Sequence, residues 1–111
     1  MMFGSGPARI PFESHLEKLK EEPARTLMVD LRKFVTSLGS NVIEEVRPHR
    51  IVYSKTLNFR IFLDIKPTAG DSLMLSIRHG RGAPPVSLRV RTIEETEHAK
   101  KQIAEAYNKI Q

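Results

Sequence analysis

The chain has 111 residues, of which 40% are hydrophobic and 28% charged, and these values are typical of one globular domain with a single core. It contains no cysteine, which excludes disulfides, thiol catalysis and cysteine-ligated metal sites. Eighteen lysines and arginines against 13 acidic residues give a formal net charge of +5, which favours anionic partners without identifying one.

The N-terminal segment sets the first expectations about location and domain limits. No apolar run approaches the roughly 18 residues that a membrane-spanning helix needs. The first residues also lack the charged and apolar regions of a secretory signal, so a cytoplasmic location without membrane association is expected. Residues 1–12 show no hydrophobic period and are expected to form a flexible arm. Residues 13–111 are expected to form one domain.

Two helices are predicted next. Ser14 is placed to cap a short helix, and Pro23 is placed in the first turn of a second helix. Apolar residues at spacings of three and four predict an amphipathic helix over residues 24–38, and Gly39 is expected to end it in the left-handed conformation. The apolar positions of this helix are Leu27, Met28, Leu31, Phe34, Val35 and Leu38.

Segments of alternating apolar and polar residues then predict strands, and the last segment of the chain predicts a helix. The short links between the strands favour an antiparallel meander. Thr92 and Glu95 match a capping box at the start of the last helix. The predicted fold is α+β, with two layers: an antiparallel sheet of four or five strands packed by the N-terminal helices and the C-terminal helix. The strand segments are 42–47, 50–55, 58–66, 72–78 and 86–91.

The outward face of the predicted sheet is the first candidate binding surface. Side chains alternate between the two faces of a strand. Because Ile61, Leu63 and Ile65 are expected to face the core, Phe62 and its alternate neighbours should face outward. Cations around an aromatic platform are typical of proteins that bind single-stranded nucleic acid. The alternatives are a face kept soluble by its charges, or a face covered by a second copy in a homodimer. The candidate residues on this face are Arg60, Phe62, Lys66, Arg78, Arg89 and Arg91, with Met74 among them.

A basic glycine loop follows the fourth predicted strand. In the stretch Arg78-His-Gly-Arg-Gly, Arg78 and Arg81 would hold an anion close to the backbone N–H groups. The complete phosphate-loop pattern is absent, so a simple hairpin connection is the alternative.

The sequence matches known enzymatic patterns only weakly. Asp64 and Lys66 with Glu44 or Glu45 match the carboxylate and lysine set of magnesium-dependent nucleases, but such triplets arise often by chance. The four histidines stand singly, and no nucleophile elbow is present. No catalytic residue, metal site or cofactor is predicted, and a non-catalytic role is favoured over an enzymatic one.

Several short stretches together carry a resemblance to other proteins, and they are Leu31–Gly39, Val42–Val46, Ile51–Lys55, Asn58-Phe59, Arg89–Thr92, Glu94-Glu95 and Ala106-Tyr107. In these stretches the chain resembles an uncharacterised family of small prokaryotic domains, some of which end chains labelled predicted transport proteins. The resemblance implies a sheet packed by terminal helices, and it carries over no activity and no catalytic residue.

These observations favour a binding or interaction domain whose basic sheet face or Arg78–Arg81 loop contacts an anionic partner such as nucleic acid. The alternatives are a small-molecule-binding or enzymatic domain and a homodimeric structural domain. A ligand pocket would be lined by Tyr53, Lys55 and Asn58, for which structural roles are the competing interpretation.

Overall fold

A computed structural model describes residues 11–19, 22–55, 60–68, 72–80 and 82–110. Within these ranges three helices and five strands build the predicted α+β fold. None of the helices in the described ranges has the length and apolarity that a membrane span requires. In chain order the elements are α1 (Glu13–Lys18), α2 (Ala24–Thr36), β1 (Val42–Val46), β2 (Ile51–Lys55), β3 (Arg60–Thr68), β4 (Ser72–Ile77), β5 (Val86–Val90) and α3 (Ile93–Lys109).

The five strands form one sheet in the order β1-β2-β3-β4-β5, with every neighbouring pair antiparallel. The predicted antiparallel meander is therefore confirmed. The register is set by pairs such as Ile51 with Ile65 and Leu73 with Val90. A register shift interrupts the pairing of β2 with β3 next to Tyr53.

The two faces of this sheet differ in what packs on them. The face that we name the first face packs against α2 and α3 and forms the core. The other, which we name the second face, carries the alternate residues, among them Asp64, Lys66, Met74 and Arg89. Besides Phe62, the buried strand residues of the first face are Ile51, Tyr53, Leu63, Ile65, Leu73, Leu75, Ile77 and Val90.

A β-bulge in β3 corrects the predicted outward position of Phe62. Tyr53 pairs with Leu63 and Ser54 pairs with Ile61, so Phe62 is an extra residue on its strand. Its side chain is fully buried, and its ring meets the ring of Tyr107 on α3 edge to face, with the centroids 5.4 Å apart. Phe62 thus belongs to the core and offers no platform on the second face.

The same bulge moves the residues that precede it. An extra residue reverses the alternation on one side of a bulge, because side chains change face with every residue. The register pairs Arg60 with Lys55, which contacts α3 on the first face, and pairs Ile61 with Ser54 on the second face. The predicted alternation is therefore correct from Leu63 to Lys66 and wrong for residues 60 and 61, while Phe59 lies outside the described residues.

The helices follow the sequence pattern with two differences at their ends. The capping box of α3 is confirmed, because Thr92 Oγ1 accepts from the Glu95 N–H at 3.1 Å and Glu95 Oε1 accepts from the Thr92 N–H at 3.2 Å. Ser14, predicted as a cap, lies inside α1, which begins at Glu13 without a side-chain cap. Phe12, which the sequence placed in the N-terminal arm, is buried in the core. Residues 1–10 lie outside the described residues.

Gly39 is the second difference, because it does not adopt the left-handed backbone predicted for the end of α2. Positive φ angles among the described glycines occur at Gly80 and Gly82 instead. A Cβ atom at position 39 would overlap the hydroxyl of Tyr107. The glycine is thus required by the close approach of α3 to the connection between α2 and β1.

Candidate anion-binding surface

The register of the sheet aligns four cations in one row across the second face. Lys66 on β3 pairs with Met74 on β4, which pairs with Arg89 on β5. On the other side, the pairing of Ile51 with Ile65 places Arg50 beside Lys66. The N–H of Arg47 donates to the carbonyl of Arg50 at 2.8 Å. We name Arg47, Arg50, Lys66 and Arg89 the cation row. It crosses five strand positions and therefore spans about 19 Å.

Two members of the cation row are already paired with carboxylates of the same face. Arg47 Nη2 lies 3.0 Å from Glu45 Oε1, and this contact raises the pKa of Arg47 and lowers the pKa of Glu45. Arg50 Nη1 lies 3.6 Å from Asp64 Oδ2. The positive charge at the β1–β2 end of the row is therefore partly neutralised.

Three other cations of the second face are exposed and form no ion pair within the described part of the chain. Lys66 and Arg89 belong to the row, and Arg91 follows Val90 and so returns to the second face beside Ser72. We name Lys66, Arg89 and Arg91 the basic patch. The half-buried side chain of Met74 lies between Lys66 and Arg89. Met74 is the residue that the register pairs with each of these two cations, so neither of them stands opposite a carboxylate in these pairings.

The rest of the second face is small and polar over β4 and β5. Ser76 pairs with Ser87, and the Ser72 hydroxyl lies 2.7 Å from the Thr68 hydroxyl. Val52 on β2 is buried, and the members of the basic patch lie over β3 and β5 and just beyond β5.

Aromatic side chains are absent from the second face as far as the structure describes it. Tyr53, Phe62 and Tyr107 lie on the helix-covered side, and Phe12 and Phe34 pack with the helices. The base-stacking platform expected from the sequence is therefore not assembled by the described residues. What remains is a surface suited to contact charge rather than nucleobases.

The basic glycine loop is separate from the basic patch. Arg78 is exposed, and its N–H donates to the Phe62 carbonyl at 3.0 Å. Arg78 lies four positions after Met74 in an extended chain, a distance of about 13 Å. Next in the chain, His79 Nε2 lies 3.9 Å from Glu105 Oε1 on α3. Arg81 lies outside the described residues, so an arginine pair in this loop stays a prediction.

Tyr53, one of the predicted pocket residues, is the buried member of a partly buried hydrogen-bond network. Its hydroxyl donates to Glu44 Oε2 at 2.8 Å, and Arg32 binds both oxygens of Glu44 at 2.9 and 3.0 Å. The Arg32 guanidinium also stacks over the ring of Phe12, 4.1 Å from its centroid. This network ties α2 to β1, β2 and the residue before α1. Its polar atoms are occupied internally, which supports the structural interpretation of Tyr53.

Lys55, the second pocket residue, is engaged at the end of α3. Its Nζ donates to the Ile110 carbonyl at 2.6 Å and lies 4.0 Å from the centroid of the Tyr107 ring. A cation at a helix C-terminus satisfies carbonyls that have no helical partner and complements the helix dipole. Asn58, the third predicted pocket residue, lies outside the described residues.

The nuclease-like set is not assembled. Glu44 is bound to Arg32 on the first face, whereas Asp64 and Lys66 lie on the second face. Glu45 shares the second face but is separated from Asp64 by β2, and carboxylates that hold one ion must each approach it within about 2.6 Å. No group of three or more His, Asp or Glu residues in the described ranges is placed to hold a metal ion.

A cleft away from the basic patch lies against α1 and α2. It has a volume of about 410 Å³ and is lined by residues of both charges. Glu22 accepts from Thr26 within it, and Asp30 is paired with Lys100 at 2.8 Å. This mixture of charges does not select an anionic ligand.

The fold and the surface together define a two-layer α+β domain with one helix-covered sheet face and a basic patch on the other. No family model matches the chain, and no curated protein or solved structure matches it either.

Sequence reasoning identified the three residues of the basic patch but missed Arg47 and Arg50. These two flank the two-residue turn at Pro48 and His49, so they end paired strands and must face each other. The signal was present in the spacing of the turn, because a two-residue hairpin link fixes the register of its strands.

Proposed function

We propose that this chain is a non-catalytic domain that binds nucleic acid through contacts between the basic patch and backbone phosphates. The observation that carries the proposal is the exposure of Lys66, Arg89 and Arg91 on one sheet face without an ion pair among the described residues. Lysine and arginine side chains are the usual partners of phosphate oxygens.

The arrangement of the patch favours an external anion over a purely structural role. Lys66 on β3 and Arg89 on β5 are separated by β4, and like charges at this separation of about 10 Å repel one another by a modest amount that depends on salt. Elsewhere in the protein the cations Arg32 and Lys100 are paired with carboxylates at 2.9 and 2.8 Å. An anion bound over the patch would supply the missing negative charge.

The chemistry of the face also limits what can be recognised. Without an aromatic platform among the described residues, the face offers cations and serine hydroxyls, which contact phosphates and sugars. Such contacts position a nucleic acid but carry little sequence information. Binding is therefore expected to depend weakly on sequence and steeply on salt.

The test is a titration of the purified chain against labelled duplex and single-stranded oligonucleotides over a series of salt concentrations. The variant replaces Lys66, Arg89 and Arg91 with serine, and a control variant replaces the exposed cations Arg25, Lys33 and Lys101 of the helices with serine. Both variants lose the same net charge. Each phosphate contact contributes about 0.9 to the slope of log K against log salt, so loss of three contacts should lower that slope by about 3.

The two variants separate a site from a general charge effect. Weaker binding with a reduced salt slope in the patch variant alone would support the proposal. An equal loss in both variants would show that net charge, and not this surface, attracts the nucleic acid. Absence of binding by the native chain at low salt would overturn the proposal.

A further inference from the structure

β5 is an edge of the sheet with one side unpaired. It pairs with β4 only, and no described residue outside that pairing forms a backbone hydrogen bond with Val86–Val90. An edge strand with free N–H and C=O groups is a template for another strand. Beside this edge a cleft of about 300 Å³ separates β5 from the first turns of α3, and Leu88 contributes to its wall.

The sequence of β5 is complementary to itself in one antiparallel register. When Leu88 is placed opposite Leu88 of a second copy, Val86 faces Val90 and Ser87 faces Arg89. The apolar residues then meet on the first face, and each arginine meets a serine on the second face. No like charges stand directly opposite, so this register avoids the cross-strand repulsion that destabilises a sheet.

Other registers and the other edge are less suitable. A register centred on Arg89 places two arginines directly opposite each other. A register centred on Ser87 places Arg89 opposite Pro85, which has no N–H to donate. At the opposite edge, self-pairing of β1 about Glu44 brings together two carboxylates that are already bound to Arg32.

We propose that β5 is a dimerisation edge, at which a second copy of this chain pairs antiparallel about Leu88. The two copies are related by a two-fold axis through this residue, perpendicular to the sheet. The product is a ten-stranded sheet with both basic patches on the same side. The pairing does not depend on nucleic-acid binding. Because a five-residue strand pair buries less area than a stable interface of about 1,200 Å² or more, the dimer forms in a concentration-dependent equilibrium.

A single introduced cysteine tests the register, since the chain has none of its own. In Leu88→Cys the two thiols face each other across the axis, with Cα atoms about 4.5 to 5.5 Å apart, which is within disulfide range. In the matched variant Ser87→Cys, the two copies of the thiol are displaced diagonally, about 7 to 8 Å apart. Mild oxidation should link Leu88→Cys into dimers and leave Ser87→Cys mainly unlinked. Ser40→Cys, at an exposed site of the α2–β1 connection, measures random collision.

Charge variants at Ser87 test the same register without crosslinking and without touching the core. Ser87→Glu would face Arg89 of the second copy twice per dimer, and Ser87→Arg would place like charges there. Sedimentation equilibrium should show a several-fold tighter dimer for the first variant and a several-fold weaker one for the second. Ser40→Glu and Ser40→Arg are the matched controls and should leave association unchanged.

Each outcome bears on the proposal differently. A native chain and a Ser87→Glu variant that both remain monomeric at high concentration would overturn it. Equal crosslinking of Leu88→Cys, Ser87→Cys and Ser40→Cys would overturn the register. A dimer that is insensitive to both Ser87 substitutions would place the interface on another surface.

Discussion

Tyr53 shows how a single buried residue couples elements that are distant in the chain. The phenol is fully buried and donates to Glu44, which in turn holds Arg32 of α2. Burial disfavours the phenolate, and the negative charge of Glu44 disfavours it further. Both effects raise the pKa of Tyr53 well above its ordinary value of 10.0.

This raised pKa predicts a loss of stability at high pH. Below pH 10, Tyr53 is protonated in both the folded and the unfolded chain. Above it, the unfolded chain releases the proton while the folded chain keeps it, so the free energy of unfolding falls by up to about 1.4 kcal/mol per pH unit. Tyr53→Phe lacks this proton, so its free energy of unfolding should decline less between about pH 9 and pH 11 than that of the native chain.

Urea unfolding monitored by circular dichroism at each pH measures the difference. Near neutral pH the variant should be less stable by about 1 kcal/mol, because Glu44 loses one hydrogen bond. Parallel declines of the native chain and the variant above pH 10 would contradict the burial of this phenol against Glu44.

At the scale of elements, the α2–β1 connection depends on the absence of a side chain at Gly39. The Tyr107 hydroxyl donates to the side-chain oxygen of Asn41 and occupies the space that a Cβ atom at position 39 would need. The contact joins the C-terminal half of α3 to a connection far earlier in the chain. The packing of α3 on the sheet therefore fixes the path of this turn.

Gly39→Ala should destabilise the fold by about 1 to 3 kcal/mol, because the methyl group displaces the hydroxyl of Tyr107. Ser40→Ala, at the next and exposed position, should change stability by less than about 0.5 kcal/mol. Denaturant unfolding of the single variants and of Gly39→Ala in a Tyr107→Phe background forms a double-mutant cycle. The cost of the alanine should shrink when the hydroxyl is absent. An unchanged cost would show that the strain lies in the backbone of the turn.

The limits of sequence reasoning are also clearest at this scale. Period-two alternation and short links predicted the meander, and the Thr92 capping box predicted the start of α3, because both signals are local. The bulge at Phe62 has no local signal in the sequence, since its ring is drawn inward by Tyr107 of a later helix. The glycine at position 39 was attributed to a left-handed backbone for the same reason, because the residue that requires it, Tyr107, lies far later in the chain. Among the predicted site residues, Lys66 and Arg89 both belong to the cation row because the strand register aligns them. Arg60 does not lie with them on the second face, because the bulge turns it to the first face.

Across the whole molecule, the charges are distributed unevenly between the two sides of the sheet. On the helix side, Lys100 is bound to Asp30 and Glu97, both at 2.8 Å, and its Nζ lies 5.6 Å from the centroid of the Phe34 ring. On the second face the basic patch has no such partners among the described residues. Surfaces that serve binding commonly retain groups that do not contribute to the stability of the free protein.

This contrast predicts opposite effects of two kinds of charge removal on folding. Replacing Lys66, Arg89 and Arg91 with serine should leave the free energy of unfolding unchanged or raise it slightly, because the patch loses the long-range repulsion between its like charges. Any gain should appear at about 0.01 M salt and disappear near 1 M, where the Debye length falls from about 30 Å to about 3 Å. Lys100→Ser should instead cost about 1 kcal/mol, since it removes two ion pairs between and within helices. Urea unfolding at both salt concentrations measures each effect. If loss of the patch cations destabilised the chain as much as Lys100→Ser, the patch would contribute to the stability of the fold. The main argument that these cations are available to bind an anionic partner would then fail.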